Sequence, residues 1–180
     1  MNNLTFPKLK SKRLILDQIT LKDQNHIFSG LSNPEVIRYY GVNYSSLEET
    51  EEQMNWYSNL EKSGSGIWWA IRSKIDNEFI GAIGFNDHHP EYKKAEIGFW
   101  LLPDFWGKGY MKEAADVVIE YIFGQLKIHR LEAYVESKNI NSSKVLKKLG
   151  FQHEGLMRDC EVKNGEFISV DLFARINPKE

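Results

Sequence analysis

Between residues 67 and 136 the hydrophobic period of the chain changes twice, and nothing else in the sequence limits the fold as much. Three short runs rich in aromatic and β-branched residues come first, at 67–73, 78–87 and 95–102. Asp76-Asn77 makes a turn between the first two, and His89-Pro90-Glu91 lies between the last two. Together they read as an antiparallel meander. Ala115, Val118, Ile119, Ile122, Phe123 and Leu126 then recur at helical spacing, the apolar stripe of an amphipathic helix over 112–126. A strand pattern follows at 130–136. Strand, crossover helix and strand form a β-α-β unit, which sets its two strands parallel.

The remaining segments fit around this unit. Residues 13–20 alternate loosely and read as a first strand. Thr20, with Asp23 three residues on, suits the N-cap of a helix over 21–31. Asn33-Pro34-Glu35 opens a short second helix. Residues 46–62 form a longer one that stops at Ser63-Gly64-Ser65-Gly66. A helix at 142–149 is closed by Gly150. The final strands, 155–162 and 168–176, join through the hairpin pair Asn164-Gly165. The expected fold is α/β (α+β), with a mixed, largely antiparallel sheet of about seven strands flanked by helices. At 180 residues one domain, 1–180, is expected.

Composition removes several function classes. Lys and Arg number 23 against 25 Asp and Glu, for a net charge of −2. That balance argues against a polybasic nucleic-acid binder. The lone Cys160 forbids an internal disulfide and a cysteine-rich zinc site and fits a reducing compartment. No HxxxH or HExxH pattern supports a metal. Residues 1–13 contain no signal-peptide core. The longest apolar runs, 79–85 and 97–103, span about seven residues, short of the roughly 18–20 of a membrane helix. A cytoplasmic protein without membrane or nucleic-acid partners is expected. Aromatics at 13% suggest a pocket or interface as well as a core.

The junction of strand and helix carries the clearest chemical signal. It reads Leu102-Pro103-Asp104-Phe105-Trp106-Gly107-Lys108-Gly109-Tyr110-Met111-Lys112-Glu113-Ala114-Ala115. Glycines leave no Cβ between the backbone amides and a ligand. The helix start adds unpaired N–H groups and partial positive charge. An anion cradle suited to phosphate results. It is neither a Walker A loop nor a GxGxxG fingerprint, since no glycine stands at 112.

With these residues in place, the chain resembles the GNAT N-acetyltransferases and, within them, the RimJ/RimL-like branch. The family loop [RQ]-x-x-G-x-[GA] is matched by Asp104 to Gly109, with Asp104 in place of Arg or Gln. Residues 139–151 look like the branch's N-x-x-S-x-x-V-L-x-K-L-G-F. Glu154-Gly155-Leu156-Met157-Arg158, Gly165 and Asp171 look like its E-G-x-x-R…G…D ending, and 9–14 like its first-strand entry.

The resemblance implies acetyl transfer from acetyl-CoA to a primary amine, with a protein N-terminal α-amine, as in the ribosomal-protein-alanine type, as the first acceptor considered. A small-molecule amine acetyltransferase and a non-catalytic acyl-CoA sensor are the alternatives. It also implies donor contacts at Trp100, Leu101, Leu102, Trp106, Gly107, Lys108, Gly109, Tyr110, Met111 and Asn139, with backbone amides near Leu101 polarising the thioester. Lys108, Lys144 and Lys147 could add charge near the phosphates. Many members place a proton-donating tyrosine where this chain has Leu146; Ser142 is the substitute candidate for general acid. Glu96, acting through water, is the first candidate base, ahead of His88 and His89. Tyr39, Tyr40, Tyr44, Trp68 and Trp69 are the aromatics considered for the acceptor side. Glu48, Glu49, Glu51 and Glu52 read as a solvated helix face, and Cys160 as a packed thiol. Family habit suggests a monomer or homodimer.

Overall fold

The structure, a computed structural model, describes residues 6–178. Residues 1–5 and 179–180, the ends of the expected 1–180 domain and the start of the stretch read for a leader, lie outside the described residues. In chain order the elements are β1 (Leu9–Lys10), β2 (Leu14–Gln18), α1 (Gln24–Leu31), α2 (Pro34–Ile37), α3 (Thr50–Ser63), β3 (Ile67–Ser73), β4 (Phe79–His89), β5 (Lys94–Leu101), α4 (Tyr110–Gly124), β6 (Arg130–Glu136), α5 (Ile140–Lys148), β7 (Gln152–Lys163) and β8 (Glu166–Ile176).

The strands form one 8-stranded sheet in the order β1-β2-β3-β4-β5-β6-β8-β7. Every neighbouring pair is antiparallel except β5 with β6, the two strands that α4 connects. The expected mixed sheet is therefore present. It has one strand more than expected because β1, at two residues, is too short to show a period. The helix expected over 46–62 begins at Thr50. The one expected over 21–31 opens as a 3-10 turn at Leu21–Asp23 before α1. His88 and His89 end β4 instead of lying in a turn.

Alternation along the strands divides the core in two. Trp69, Ile71, Ile97 and Leu101 face one side with α4 and with Leu146 and Leu149 of the α5 end. Trp68, Ala70, Ala82 and Trp100 face the other with Ile27, Leu31, Met54 and Tyr57 of α1 and α3. Two glycines make the second layer possible. A Cβ at Gly84 would sit 2.3 Å from Trp68 Cγ, and one at Gly98 would sit 2.8 Å from the same ring. The Trp68 indole thus lies flat across β4 onto β5.

The α1 end of this layer is held by a buried ion cluster. Asp23 is 3% exposed. Its carboxylate accepts from Arg72 Nη2 at 2.5 Å and from the Thr20 N–H at 2.8 Å, while Arg72 Nε also donates to Asp17 at 2.9 Å. Removing one partner of a buried pair strands the other charge, at a cost of about 3 kcal/mol. Asp23→Ala is expected to lower unfolding free energy by about that amount, seen as a lower urea midpoint with an unchanged slope. Asp23→Asn, which keeps hydrogen-bonding capacity but not charge, should fall between.

Candidate active site

The parallel pair β5–β6 is brief. It joins Lys94, Ala95 and Glu96 to Arg130, Leu131 and Glu132. Both strands then continue, β5 to Leu101 and β6 to Glu136, without facing each other. A wedge opens between them, and its lining follows from strand geometry. The Leu102 N–H is given to the Ile80 carbonyl at 2.9 Å. By alternation the amides of Gly98 and Trp100 also point toward β4, whereas those of Phe99 and Leu101 point into the wedge. Leu101 uses its carbonyl to accept from the Trp106 indole N–H at 2.9 Å. A free Leu101 N–H at the wedge is thus an oxyanion donor of the kind a thioester carbonyl needs.

Two of the expected donor residues do not offer their amides to the wedge. The Trp100 and Leu102 amides are committed to β4. The Trp100 side chain is 4% exposed and packs under α1, so close that a Cβ at Gly30 would meet it at 2.2 Å.

At the wedge mouth β5 passes through a 3-10 turn, Pro103–Phe105, into α4. Gly107 and Gly109 have φ of +71° and +78°, a region L side chains rarely adopt. Nothing lies within 4 Å of a Cβ built on Gly107, so the loop surface is open there. Trp106 N–H turns back to Pro103, and the first bond of α4 runs from Glu113 N–H to Gly109. Among the described residues no backbone carbonyl partners the six amides 107–112. This run, at the positive end of a 15-residue helix, has the geometry that suits an anion. Tyr110 and Met111 form its inner end: Met111 is in the core and Tyr110 half-buried. Lys108 Nζ stands over the Phe105 ring, 5.8 Å away. Lys144 and Lys147 are exposed on α5.

Glu96 closes the paired part of β5 and shares a face with Trp100 and Gly98. Burial, followed by the nearby carboxylates of Asp87, Glu132 and Glu161, pushes its pKa up to about 7. Glu132, its neighbour across the pair, behaves oppositely. Burial works against its charge, but Arg130 and Lys94, at 2.7 Å and 3.3 Å, hold its carboxyl below the usual range. One carboxylate is therefore pinned and the other free to titrate near neutrality, a division that marks acid–base sites. His88 instead lies with Nδ1 3.3 Å from the Gly64 carbonyl.

On the far lip of the wedge Asn139 caps α5, its Oδ1 accepting from the Ser142 N–H at 3.1 Å. Only the Asn139 amide nitrogen is left for a ligand. The Ser142 hydroxyl is half-buried in the first turn and has no partner among the described residues. Leu146, considered above as standing in for a proton-donating tyrosine, is fully buried.

The acceptor side gathers aromatics. Trp68 belongs to this face and Trp69 to the other. Tyr40 and Tyr44 pack on the Trp68 layer. Burial, then Tyr57, Glu96 and Tyr44, raise the Tyr40 phenol well above its ordinary range. Tyr39 lines a surface pocket with Arg38, Glu136 and Lys163 instead. Among the described residues the Trp68 indole N–H is buried without a hydrogen-bond partner. Glu48, Glu49, Glu51 and Glu52 are exposed. Cys160 is exposed on β7, not packed as expected, because β7 is an edge strand. Among the described residues no cluster of ligating side chains could hold a metal, and no helix is long and apolar enough to cross a membrane.

Sequence reasoning missed Tyr134 and Arg13. Tyr134 lies two residues beyond Glu132 on the same face, 41% exposed, its hydroxyl 3.4 Å from Glu132. Arg13 approaches the glycine loop from almost a hundred residues away.

Comparison with known proteins agrees with this geometry. The profile of the acetyltransferase (GNAT) domain matches residues 13–152. The N-acetyltransferase YoaA of Bacillus subtilis is 36% identical over 176 residues, 97% of this chain and 99% of that protein. The ribosomal-protein-serine acetyltransferase of Escherichia coli is 27% identical over 89% of this chain and 85% of its own. RimL, a ribosomal L7/L12 alpha-N-protein acetyltransferase solved in complex with coenzyme A, superimposes with a TM-score of 0.87 at 25% identity, covering 97% of this chain and 100% of that one. A wedge with a free strand amide, an anion-binding loop at its mouth and a carboxyl poised near neutrality thus come with a matching profile, and the chain belongs to the GNAT acetyltransferases, enzymes whose acyl donor is acetyl-CoA.

Proposed function

We propose that the protein acetylates α-amines, the N-terminus of a protein or peptide being the acceptor class that suits it best. The observation that carries this reading is the placement of a half-buried carboxyl, Glu96, on the face of β5 that it shares with Gly98 and Trp100, where burial raises its pKa to about 7. An α-ammonium titrates at about 7.7–8.0 and a lysine-type or polyamine ammonium at about 10.4. Whatever base takes the proton, an α-ammonium gives it up more readily than a lysine-type ammonium, by about 3 kcal/mol. The likeness to the ribosomal-protein-serine acetyltransferase and to RimL supports the same acceptor class. The strands β7 and β8, which continue the sheet past the matched profile, support one catalytic unit. A cytoplasmic enzyme accords with the lone, exposed thiol.

In the proposed mechanism the amides of residues 107–112 hold the donor diphosphate, and the pantetheine arm lies in the wedge. Leu101 N–H polarises the thioester carbonyl. Glu96 takes a proton from the bound ammonium through water. The amine lone pair forms the C–N bond as the C–S bond breaks; the Ser142 hydroxyl donates the proton that the departing thiolate acquires and recovers one, through water, from the acylated nitrogen, which sheds its second proton, and Glu96 returns its proton to solvent. The Asn139 amide nitrogen steadies the pantetheine.

Four outcomes are expected. Gly107→Glu, placing a negative charge in the cradle, should abolish CoA binding by calorimetry while the thermal melt stays cooperative; retained affinity would place the diphosphate elsewhere. The kcat/KM of the unmodified enzyme should rise with pH through about 7, and Glu96→Gln should remove that limb and lower turnover by about a hundredfold. The stability sign follows from linkage. The folded carboxyl near 7 lies above its unfolded value of about 4.3, so folding favours the protonated form and stability falls as pH rises between the two. Melts should therefore show Glu96→Gln gaining on the parent from pH 5 to pH 8; a constant gap would mean an unshifted carboxyl. Ser142→Ala should lower kcat by about tenfold or more with CoA affinity kept. A panel of peptides, polyamines and small amines, read by thiol release, tests the acceptor class.

A further inference from the structure

Asp104, at the head of the loop, carries the wrong sign for an anion, and Lys108 is turned over the Phe105 ring. A different side chain brings positive charge to the cradle. Arg13 starts the β2 end of the chain and crosses to the first turn of α4. Its Nε donates to Glu113 Oε2 at 2.6 Å, and its backbone N–H donates to Glu113 Oε1 at 2.6 Å. Ser11 Oγ adds a third bond to that carboxylate at 2.7 Å. Arg13 Nη1 donates to the Lys108 carbonyl at 3.1 Å, and its guanidinium lies 4.3 Å from the Tyr110 ring centre. Nη2 is 3.7 Å from where a Gly109 Cβ would be.

Two consequences follow. Glu113 is a negative charge in the first turn of the helix whose amides are to hold an anion. Burial works against that charge, yet the bonds from Arg13 and Ser11 keep its carboxyl below the usual range, so it is ionised and needs neutralising. The Nη2 hydrogens, meanwhile, have no partner among the described residues, and the side chain is 42% exposed. A guanidinium whose Nη2 is uncommitted, beside a row of free amides, can donate to a phosphate oxygen.

We propose that Arg13 is part of the donor site: it cancels Glu113, fixes the Lys108–Gly109 turn through the Lys108 carbonyl, and presents Nη2 to the donor's diphosphate. The inference rests on the donor placement proposed above. It assigns to a residue at the start of β2 a role in selecting CoA over donors that lack phosphates.

The test compares CoA with pantetheine, which has the thiol arm but no diphosphate. Dissociation constants are measured by calorimetry for the parent, Arg13→Gln and Arg13→Lys, with thermal melts as fold controls. The preference for CoA over pantetheine is expected to shrink about tenfold in Arg13→Gln. Arg13→Lys, which keeps charge but loses the fork, should recover part of it. The double variant Arg13→Gln/Glu113→Gln should bind CoA more tightly than Arg13→Gln alone, because the uncovered carboxylate is gone. If Arg13→Gln weakens both ligands equally, or neither, the residue serves the fold alone and the proposal is overturned. If the parent itself binds no CoA, the donor placement fails with it, so the two failures are distinct.

Discussion

The parting of β5 from β6 is the constraint on which the rest of the site depends. A parallel pair satisfies backbone amides evenly along its length, so ending it early leaves donors that something must compensate. Here the paired end is anchored. Lys94 and Arg130 both grip Glu132, and Arg130 extends to Glu154 on β7 through bonds of 3.0 Å and 2.5 Å. The open end is capped on one side only: the Trp106 indole takes the Leu101 carbonyl, and the Leu101 N–H is left facing the gap. In the proposed mechanism a ligand carbonyl there would complete the ladder that β6 abandoned, so that substrate binding would in part continue sheet formation.

The alternation of β5 gives the strand two distinct faces. Odd positions send their amides into the wedge and their side chains toward α4, and even positions send Glu96 and Trp100 toward α1 and α3. The wedge is thus lined by backbone amides of β5 and the opposite face by its side chains. The missing side chain at Gly98 lets Trp68 reach β5 and pave the acceptor face next to Glu96. That apolar paving contributes to the desolvation that brings a carboxyl close to neutral pH.

Much of this was legible locally. Asn164-Gly165 lies in the hairpin turn, with φ of +52° and +80°, as that dipeptide requires. Gly64 takes the left-handed position that ends α3. Pro103 and the two loop glycines mark the junction that the structure turns at. The fold class and the family were readable because these local signals agree with the change of hydrophobic period. What was not legible is longer in range. Nothing in residues 97–102 says where pairing to β6 stops, since that depends on Trp106 folding back. Arg13 meets Glu113 across a hundred residues. Trp100 and Leu101 look alike as apolar strand residues, yet one amide is spent on β4 and the other is free. Cys160 could not be read as exposed because burial at an edge depends on which strand lies outermost.

That outermost strand has a consequence of its own. β7 runs for 12 residues with one side unpaired, a length that would ordinarily invite another chain to add on. Its pairing to β8 slips at Glu154 and again between Met157 and Glu161, where Asp159 takes a φ of +50° and its N–H bonds to the Ser169 hydroxyl at 3.0 Å. No stretch of β7 keeps regular register for more than three residues. An incoming strand finds no straight template, so the two bulges act as a guard against runaway fibre growth at the one long border the sheet leaves open.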